Sequence, residues 1–289
     1  SDWSSDVCSS DLGIVGRETL IALNTPVEKR VAELEISLER MRWLPDSTPR
    51  YVFVNVAGFQ LYVIEGYRRV LSMDTQVGRP SWPTAIFSDT LEYLVVNPYW
   101  HVPESIEAEE ILPAVREDPG YLEEQGMVVV SANDNLGEPI SADAVPWESL
   151  HEGDFKEQYD FRQEPGPHNA LGTIKFMFPN EHLIYLHDTP AQGLFETTER
   201  ATSHGCIRVE DPAALAAYLL GRKGPGAFED TLSALDPDRP TQMALPEPIP
   251  VHIFYLTAWA EPNGTVHFRQ DIYGLNGAVA RELEEEHEG

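Results

Sequence analysis

The spacing of apolar residues divides the chain into helical and extended parts. In residues 25–45, apolar side chains recur at every third or fourth position, and this pattern predicts a linker helix that packs through one narrow stripe. The stripe consists of Val27, Val31, Leu34, Leu38 and Met41. From Arg50 the period changes to two, with turns at Ala57-Gly58 and Gly66, and this alternation predicts a β-meander over residues 50–77.

Beyond the meander, further strands and helices follow less regularly. Strands are expected over residues 90–97, 125–130, 171–178, 183–187 and 246–258. One helix is expected over residues 106–117, and another after Asp211, which can cap it, with Pro212 in its first turn. The fold class predicted from this pattern is mixed α+β, mainly β.

A long insertion, residues 104–165, interrupts the strand pattern. Long irregular segments within a sheet domain are commonly functional, so we expect a lid over the site, although a surface subdomain without a role fits the same pattern. The part rich in Gly, Pro, Asp and Asn, residues 133–145, is expected to be mobile enough to open and close. The acidic tail, residues 274–289, is predicted to be a solvated, mobile end.

The composition narrows the possible partners. The 48 acidic residues outnumber the 20 basic residues, which gives a net charge of −28. This charge repels nucleic acids and anionic membranes, so neither is an expected partner. It favours amine-bearing molecules, and a saline habitat explains it equally well. The apolar runs are too short for a transmembrane helix. Residues 1–11 form a Ser- and Asp-rich leader that we predict to be non-native.

Cys206 is the strongest candidate for chemistry, since the other cysteine, Cys8, lies in the leader. It ends the motif Ser203-His204-Gly205-Cys206, and His187 lies upstream. A thiol with imidazoles in reach is typical of a cysteine nucleophile. The alternatives are a zinc site formed by His187, His204 and Cys206, or a buried cysteine that only packs. The polar surroundings and the lack of paired Cys-x-x-Cys spacing favour the nucleophile.

The spacing also suggests roles for the residues around Cys206. His187 is predicted to end a strand, which would hold its ring in place as a general base. Its imidazole is expected to lower the pKa of Cys206, so that a thiolate forms near neutral pH. Gly205 allows a sharp turn, so that the backbone amides of residues 204–206 can form an oxyanion hole. His204 fits a positioning role better than that of the base, and both roles remain open.

Together these motifs resemble the L,D-transpeptidase catalytic domain, the YkuD fold. The resemblance rests on His187 followed by Ser203-His204-Gly205-Cys206-Ile207-Arg208, and on three further stretches. These are Val77-Gly78-Arg79-Pro80, Asn97-Pro98-Tyr99-Trp100-His101-Val102-Pro103 and Gly166-Pro167-His168-Asn169-Ala170-Leu171-Gly172. The last two are typical of the large Gram-negative periplasmic branch, and the resemblance covers residues 50–273. Residues 12–24 resemble the end of a peptidoglycan-binding module.

The resemblance implies a β-sandwich or meander domain that cross-links peptidoglycan. Cys206 would attack the carbonyl after the third residue of a tetrapeptide stem and release D-Ala. The acyl group would then pass to an amine of a second stem, giving a 3-3 cross-link, or to a lipoprotein lysine, a D-amino acid or water. Asp188 would orient His187 through its backbone carbonyl, and Arg208 would pair with a substrate carboxylate. Further substrate contacts are implied for Asp188, Ser203, Tyr185 and Trp100.

The same resemblance implies where the protein acts and with what. The expected partners are peptidoglycan stem peptides and other cell-wall synthesis proteins, and neither a cofactor nor a metal is expected. The expected location is the periplasm, with a membrane anchor in a segment before this chain. Two other functions use the same residues or fold: a cysteine-dependent peptidoglycan carboxypeptidase that transfers the acyl group to water, and a wall-binding protein whose catalytic fold has decayed. The intact His187 and Cys206 motif argues against the second.

Overall fold

The computed structural model describes residues 16–45, 49–118, 120–147, 149–150, 152–222, 226 and 228–288. The predicted leader with Cys8, and residues 12–15 of the predicted peptidoglycan-binding segment, lie outside these residues. Within the described ranges, no helix has the length and apolar character of a membrane-spanning segment.

Residues 50–78 fold into the meander that the alternating pattern predicts. Its strands are β1 (Arg50–Asn55), β2 (Gln60–Glu65) and β3 (Arg68–Gly78). Each strand pairs antiparallel with the next. Val52 and Val54 of β1 and Leu61 and Val63 of β2 are completely buried, so the period of two places one face of the meander in the core.

The rest of the chain adds eleven strands to the meander. They are β4 (Phe87–Val96), β5 (Trp100–His101), β6 (Met127–Ser131), β7 (Tyr159–Gln163), β8 (Ile174–Met177), β9 (Leu186–His187), β10 (Ala201–Ser203), β11 (Ile207–Val209), β12 (Thr241–Phe254), β13 (Ala258–Ala260) and β14 (Val266–Phe268). The α-helices are α1 (Arg17–Asn24), α2 (Val27–Arg42), α3 (Glu104–Ile106), α4 (Leu112–Glu117), α5 (Tyr121–Glu124), α6 (Glu152–Gln158), α7 (Pro212–Leu219), α8 (Glu229–Ser233) and α9 (Asn276–Glu288). The predicted α+β, mainly β class is confirmed.

Nine strands form one mixed sheet in the order β10-β3-β11-β9-β8-β4-β12-β1-β2. The pairing of β2 with β3 joins the far end of the sheet back to its beginning, so the sheet curls around the main core. The long strand β12 is parallel to β1 and antiparallel to β4. Helix α7 follows β11 and is capped as predicted, because the Asp211 carboxylate accepts a hydrogen bond of 2.9 Å from the Ala214 amide.

The insertion forms a second, smaller core beside the main sheet. Strands β5, β7 and β6 make a three-stranded sheet, against which α3, α4 and α6 pack around Phe155 and Phe161. Helix α6 and strand β7 were not predicted, because α6 contains a single large apolar residue, Phe155, and so lacks a periodic signal. The stretch 133–145 is held at several points: Arg162 donates to the carbonyls of Asn135 and Gly137 at 2.9 and 3.1 Å, the Ile140 amide donates to the Val129 carbonyl at 2.8 Å, and Val145 is buried.

Helix α2 forms where predicted, but the predicted packing face is wrong. Val27 is 68% exposed and Leu38 is 66% exposed. The buried residues are instead Ile36, Ser37 and Arg40. Ser37 accepts a hydrogen bond from the Ala258 amide at 3.1 Å, and Arg40 donates to the Tyr255 carbonyl at 3.0 Å. The face of α2 that packs on the domain is therefore the one that hydrogen-bonds to buried backbone groups, and most of the apolar stripe is exposed.

The acidic tail is also corrected by the structure, because residues 276–288 form helix α9. The Asp271 carboxylate accepts hydrogen bonds from the Leu275 and Asn276 amides at the start of this helix, each 2.9 Å long. The Asn276 side chain accepts a hydrogen bond of 2.7 Å from Arg40, and Val279 is buried. A cap and one apolar contact thus fix the start of a helix in a segment that the charge pattern did not predict to be helical.

Candidate active site

Four neighbouring strands bring polar side chains into one row on the sheet. Gln76 of β3 lies opposite Arg208 of β11. Arg208 in turn lies opposite His187 of β9, and His187 lies opposite Lys175 of β8. Directly opposed residues on adjacent strands point to the same face. The row therefore gathers two cations, a histidine and an amide on one surface.

Cys206 shares this outer face. Ile207 and Leu186 are paired neighbours, are completely buried and point into the core. Alternation along β11 and β9 therefore turns Cys206 and Tyr185, one position earlier in each strand, to the same side as the row. The Ile207 amide donates to the Tyr185 carbonyl at 3.1 Å, which fixes this register. Cys206 thus precedes a short strand, rather than lying in a loop directly before α7.

His187 ends strand β9 and is buried. Its Nδ1 atom lies 2.5 Å from the backbone carbonyl of Asp188. A carbonyl can only accept, so Nδ1 carries the proton and Nε2 keeps its lone pair. Burial lowers the pKa of His187 to about 3, and the positive charges of Arg208 and Lys175 act in the same direction. The ring is therefore neutral at physiological pH and can accept a proton through Nε2.

Cys206 does not match the expected low-pKa thiol. Burial raises the pKa of Cys206, although hydrogen bonds from Tyr185 and the charges of Lys175 and Arg208 act in the opposite direction. The expectation that His187 lowers the pKa of this thiol is wrong, because a neutral imidazole supplies no positive charge. The Sγ atom lies 3.8 Å from the Leu183 carbonyl, to which the thiol can donate. The thiol is therefore protonated at neutral pH.

Tyr185 connects Cys206 to the insertion. Its hydroxyl hydrogen-bonds both Cys206 and the indole of Trp100 on β5, and burial raises the pKa of Tyr185 well above its usual value. The Lys175 ammonium lies 3.8 Å from the centre of the Tyr185 ring, and the His187 ring meets the same ring edge-on at 5.6 Å. The phenol is thus fixed on several sides and remains protonated, as a donor to sulfur.

The turn before Cys206 depends on Gly205, whose φ of +112° disfavours any side chain. The Ser203 hydroxyl donates to the Cys206 carbonyl at 2.6 Å and accepts from the Gly205 amide at 3.1 Å. The Gly205 amide is therefore occupied and does not serve in the predicted oxyanion hole. The amides of His204 and Cys206 make no hydrogen bond to the described residues, and these two can point at one oxygen.

Asp188 contacts His187 through its backbone carbonyl and holds neighbouring backbone amides through its carboxylate. Its carboxylate accepts hydrogen bonds of 2.7 Å from the amides of both Thr173 and Thr189. A Cβ at Gly172 would lie 2.4 Å from the carboxyl carbon of Asp188, so position 172 must be glycine for this carboxylate to fit. The carboxylate is thus used to brace the end of β9, which differs from the expected substrate contact. Among the described residues, no group of three His, Cys, Asp or Glu side chains could hold a metal ion.

The model of the YkuD family, described as the L,D-transpeptidase catalytic domain, matches residues 49–246. This range is more than half of the 289 residues. The chain belongs to the L,D-transpeptidase catalytic-domain family.

A curated relative supports the family assignment. A putative L,D-transpeptidase of Haemophilus influenzae is 35% identical over 247 residues, which are 86% of this chain and 48% of the relative. The chain therefore spans about half of the length of that protein.

Solved structures of L,D-transpeptidases are more distant. One from Mycobacterium smegmatis is 12% identical with a TM-score of 0.30, over 71% of this chain and 58% of that one. Another, solved in complex with imipenem, is 12% identical with a TM-score of 0.28, over 71% and 59% of the two chains. Because both TM-scores are below 0.5, the assignment rests on the sequence matches.

In this L,D-transpeptidase domain, the His204 ring contacts Glu110, Arg79 and Trp82, which lie outside the row of Cys206 and His187. Its Nε2 atom lies 2.8 Å from both Glu110 of the insertion and Arg79. Nε2 can donate to Glu110 or accept from Arg79, so the tautomer decides which contact is a hydrogen bond. Arg79 also lies 3.7 Å from Glu110, which makes an ion pair across the same junction. His204 thus links the turn before Cys206 to the insertion.

Glu110, which contacts His204, lies in an unusual turn of helix. Residues Glu107–Ile111, between α3 and α4, form a π-helical turn, a feature often found at functional sites. Glu107 is buried and its carboxyl accepts a hydrogen bond of 2.9 Å from the Phe161 amide. Burial and a hydrogen bond with Asp160 raise the pKa of Glu107 to about 8. This neutral carboxyl fixes the turn on β7, while Glu110 faces the catalytic domain.

Three residues of the site were missed at the level of sequence, namely Lys175, Glu110 and Gln76. Lys175 stands between the completely buried Phe176 and Ile174, so alternation places it on the outer face. Only the register of β8 against β9 puts it opposite His187. Glu110 lies in an acidic run and is indistinguishable there from a solvated residue.

Proposed function

We propose that this chain is a peptidoglycan L,D-transpeptidase that forms an acyl-enzyme on Cys206. The observation that carries the proposal is the geometry of two adjacent strands: Cys206 and His187 share one face, and His187 has a protonated Nδ1 and a free Nε2. A thiol beside a fixed neutral base is the arrangement needed for acyl transfer. Membership of the L,D-transpeptidase family supports the choice of a stem peptide as donor.

In the first step, Sγ attacks the carbonyl after the third residue of a tetrapeptide stem, and Nε2 of His187 takes the thiol proton. The tetrahedral intermediate places its negative oxygen near the His204 and Cys206 amides. The intermediate then expels D-Ala, whose nitrogen receives the proton held by His187. The product is a thioester on Cys206 with a neutral His187, ready for the second step.

In the second step, an amine of another stem attacks the thioester carbonyl. His187 removes the proton from the attacking nitrogen and returns it to sulfur as the C–S bond breaks, which yields a 3-3 cross-link and the free thiol. Arg208, held by a 3.1 Å hydrogen bond to Gln76, can pair with a carboxylate of the substrate. Since peptidoglycan lies outside the cytoplasmic membrane, we also propose the cell envelope as the place of action.

The decisive experiment incubates the protein with disaccharide-tetrapeptides and analyses the muropeptides by mass spectrometry. We expect 3-3 linked dimers that carry one D-Ala fewer than the two substrates together. A carboxypeptidase would give only free tripeptide, even with an added amine acceptor, and a decayed wall-binding protein would give unchanged substrate.

A carbapenem is expected to acylate Cys206 and to add its mass to the intact protein, whereas penicillins do so poorly, as the family resemblance implies. The lactam carbonyl can occupy the position of the stem carbonyl, and ring opening leaves the leaving nitrogen attached. Intact-mass measurement checks this result, with the Cys206→Ala variant as the control. A protein whose Cys206 reacts with iodoacetamide but not with a carbapenem would favour the peptidase alternative.

The insertion is expected to shield the thioester from water, so that transfer exceeds hydrolysis. Removing its contact with His204 by Glu110→Ala should leave acylation by a small lactam within about twofold of the parent, since Glu110 does not contact Cys206 or His187. The ratio of hydrolysed tripeptide to dimer should rise severalfold. Glu109→Ala is the matched control, because Glu109 lies in the same π-helical turn and is exposed. Equal ratios in both variants would mean that this junction does not close the site.

A further inference from the structure

The cations beside Cys206 lack acidic partners, although the chain has 48 acidic residues and only 20 basic ones. Lys175 and Arg208 form no salt bridge with any described carboxylate, whereas Arg69, Arg162 and Arg200 all do. A partly buried cation is costly unless an anion or a polar group compensates it. Polar and aromatic groups surround this pair, since Arg208 donates to Gln76 and Lys175 lies over the Tyr185 ring, and an anion that neutralises it would arise at the site or arrive with a ligand.

Lys175 is placed towards the nucleophile. It stands opposite His187 in the sheet, and its ammonium lies 3.8 Å from the centre of the Tyr185 ring. The hydroxyl of that same tyrosine hydrogen-bonds Cys206. A cation over the ring strengthens the hydroxyl as a donor, because it withdraws electron density from the phenol. Lys175 therefore acts on the sulfur both directly through space and through Tyr185.

The other titratable groups around Cys206 do not take this role. His187 on β9 is neutral, and Tyr185, directly before that strand, remains protonated. His101 on β5 is affected by the charge of Lys175, and burial lowers the pKa of His101, so it is neutral as well. Arg208 on β11 donates a hydrogen bond to the neutral amide oxygen of Gln76 and keeps its positive charge. The charge of Lys175 lowers the pKa of Cys206 more than the charge of Arg208 does.

We propose that Lys175 is the electrostatic partner of the Cys206 thiolate, stabilising the negative charge that forms on sulfur when the thiol proton moves to Nε2 of His187. Burial lowers the pKa of Lys175, whereas the charge of Cys206 raises it. We assign Lys175 an electrostatic and positioning role, and no proton is transferred to or from it in the proposed step. The inference rests on the proposed function in one respect, since it takes Cys206 as the nucleophile. It adds that a lysine, and not an imidazolium, is the cation that pairs with the thiolate.

The test measures the rate of alkylation of Cys206 by neutral iodoacetamide from pH 6 to pH 11, in a Cys8→Ser background so that one thiol is followed. Lys175→Met should raise the apparent pKa of Cys206 by about one unit, the effect expected for removal of one nearby opposite charge. The rate at pH 7 should fall about tenfold, and the limiting rate at high pH should be unchanged. Lys175→Arg should keep the parental pKa within a few tenths.

Two controls separate this role from a structural one. Lys156→Met removes the same charge from a surface salt bridge with Glu104 and should leave the alkylation profile unchanged. Lys175→Gln provides a second neutral variant if the methionine variant unfolds, and thermal unfolding of each protein checks the fold. A merely structural lysine would change the limiting rate or the unfolding temperature without moving the midpoint of the pH profile.

A parallel series with anionic iodoacetate tests the alternative that Lys175 binds a carboxylate of the substrate. If Lys175 binds a substrate carboxylate instead, Lys175→Met should slow iodoacetate severalfold and leave the iodoacetamide profile unchanged, and that result overturns the proposal. An unchanged profile with both reagents overturns it too. In either case, the proposed function still holds if the parent protein makes 3-3 dimers. It is refuted if the parent protein forms no acyl-enzyme on Cys206.

Discussion

Replacing Cys206 with alanine is expected to abolish acyl-enzyme formation, carbapenem capture and cross-linking together. The reason is that Cys206 is the free cysteine of the described residues and the acyl group has no other sulfur to occupy on that face. Loss of a covalent nucleophile removes the pathway as a whole, so the residual rate should be a trace of the parental value. Muropeptide analysis and intact mass with a carbapenem measure the two effects.

The control for this prediction is the fold of the variant. Two hydrogen bonds to backbone carbonyls hold the turn at Cys206. The Ser203 hydroxyl donates to the Cys206 carbonyl at 2.6 Å, and the Ile207 amide donates to the Tyr185 carbonyl at 3.1 Å. Neither contact uses the thiol, so the unfolding temperature of Cys206→Ala should be close to that of the parent. Cys8→Ser should remain active. Turnover retained by Cys206→Ala would refute the nucleophile assignment, whatever the behaviour of Cys8.

The parts of the fold that the sequence predicted correctly are those with strictly local causes. The meander follows from alternation over residues 50–77, and α7 follows from Asp211 and Pro212 at its start. Each signal lies within a few residues of the structure that it specifies, and no distant contact opposes it. The same holds for Gly205, whose left-handed φ explains why a glycine stands in the turn before Cys206.

The errors arise where distant contacts decide the outcome. The apolar stripe of α2 is periodic, yet Ser37 and Arg40 determine which face docks, because they satisfy backbone groups of residues 255 and 258. The acidic tail forms a helix because Asp271 caps it and Arg40 binds Asn276. Neither partner is visible in the local pattern. Tertiary hydrogen bonds therefore override both apolar periodicity and charge.

The site shows the same division. Cys206 and His187 could be singled out as candidates from the sequence, since a single thiol with a distant histidine is a sequence-level signal, and strand register places them on one face. Their protonation states could not, because the pKa of His187 depends on burial and on Arg208 and Lys175, which reach it only through strand register. The contact of His204 with Glu110 likewise joins two segments far apart in the chain. Electrostatic roles thus require the fold.

Replacing His187 with alanine should lower the rate of acylation at pH 7 by about 10² to 10⁴, the range usual for a lost general base. His204→Ala should cost less, because the His204 ring contacts Glu110 and Arg79 rather than Cys206. Single-turnover acylation by a carbapenem measures both variants without interference from the acceptor. If His204→Ala proves the more damaging of the two, the roles of the histidines are reversed.

The pH dependence of the His187→Ala defect distinguishes a base from a structural residue. The pKa of His187 is about 3, so the neutral ring is available throughout the range in which the protein is assayed. Burial raises the pKa of Cys206, so at pH 7 the thiol is protonated and needs a base. As the pH rises through the pKa of the thiol, a thiolate forms without help from His187. The deficit of His187→Ala should therefore shrink steadily above pH 9, whereas a deficit that stays constant with pH would assign His187 to holding the strand end rather than to moving the proton.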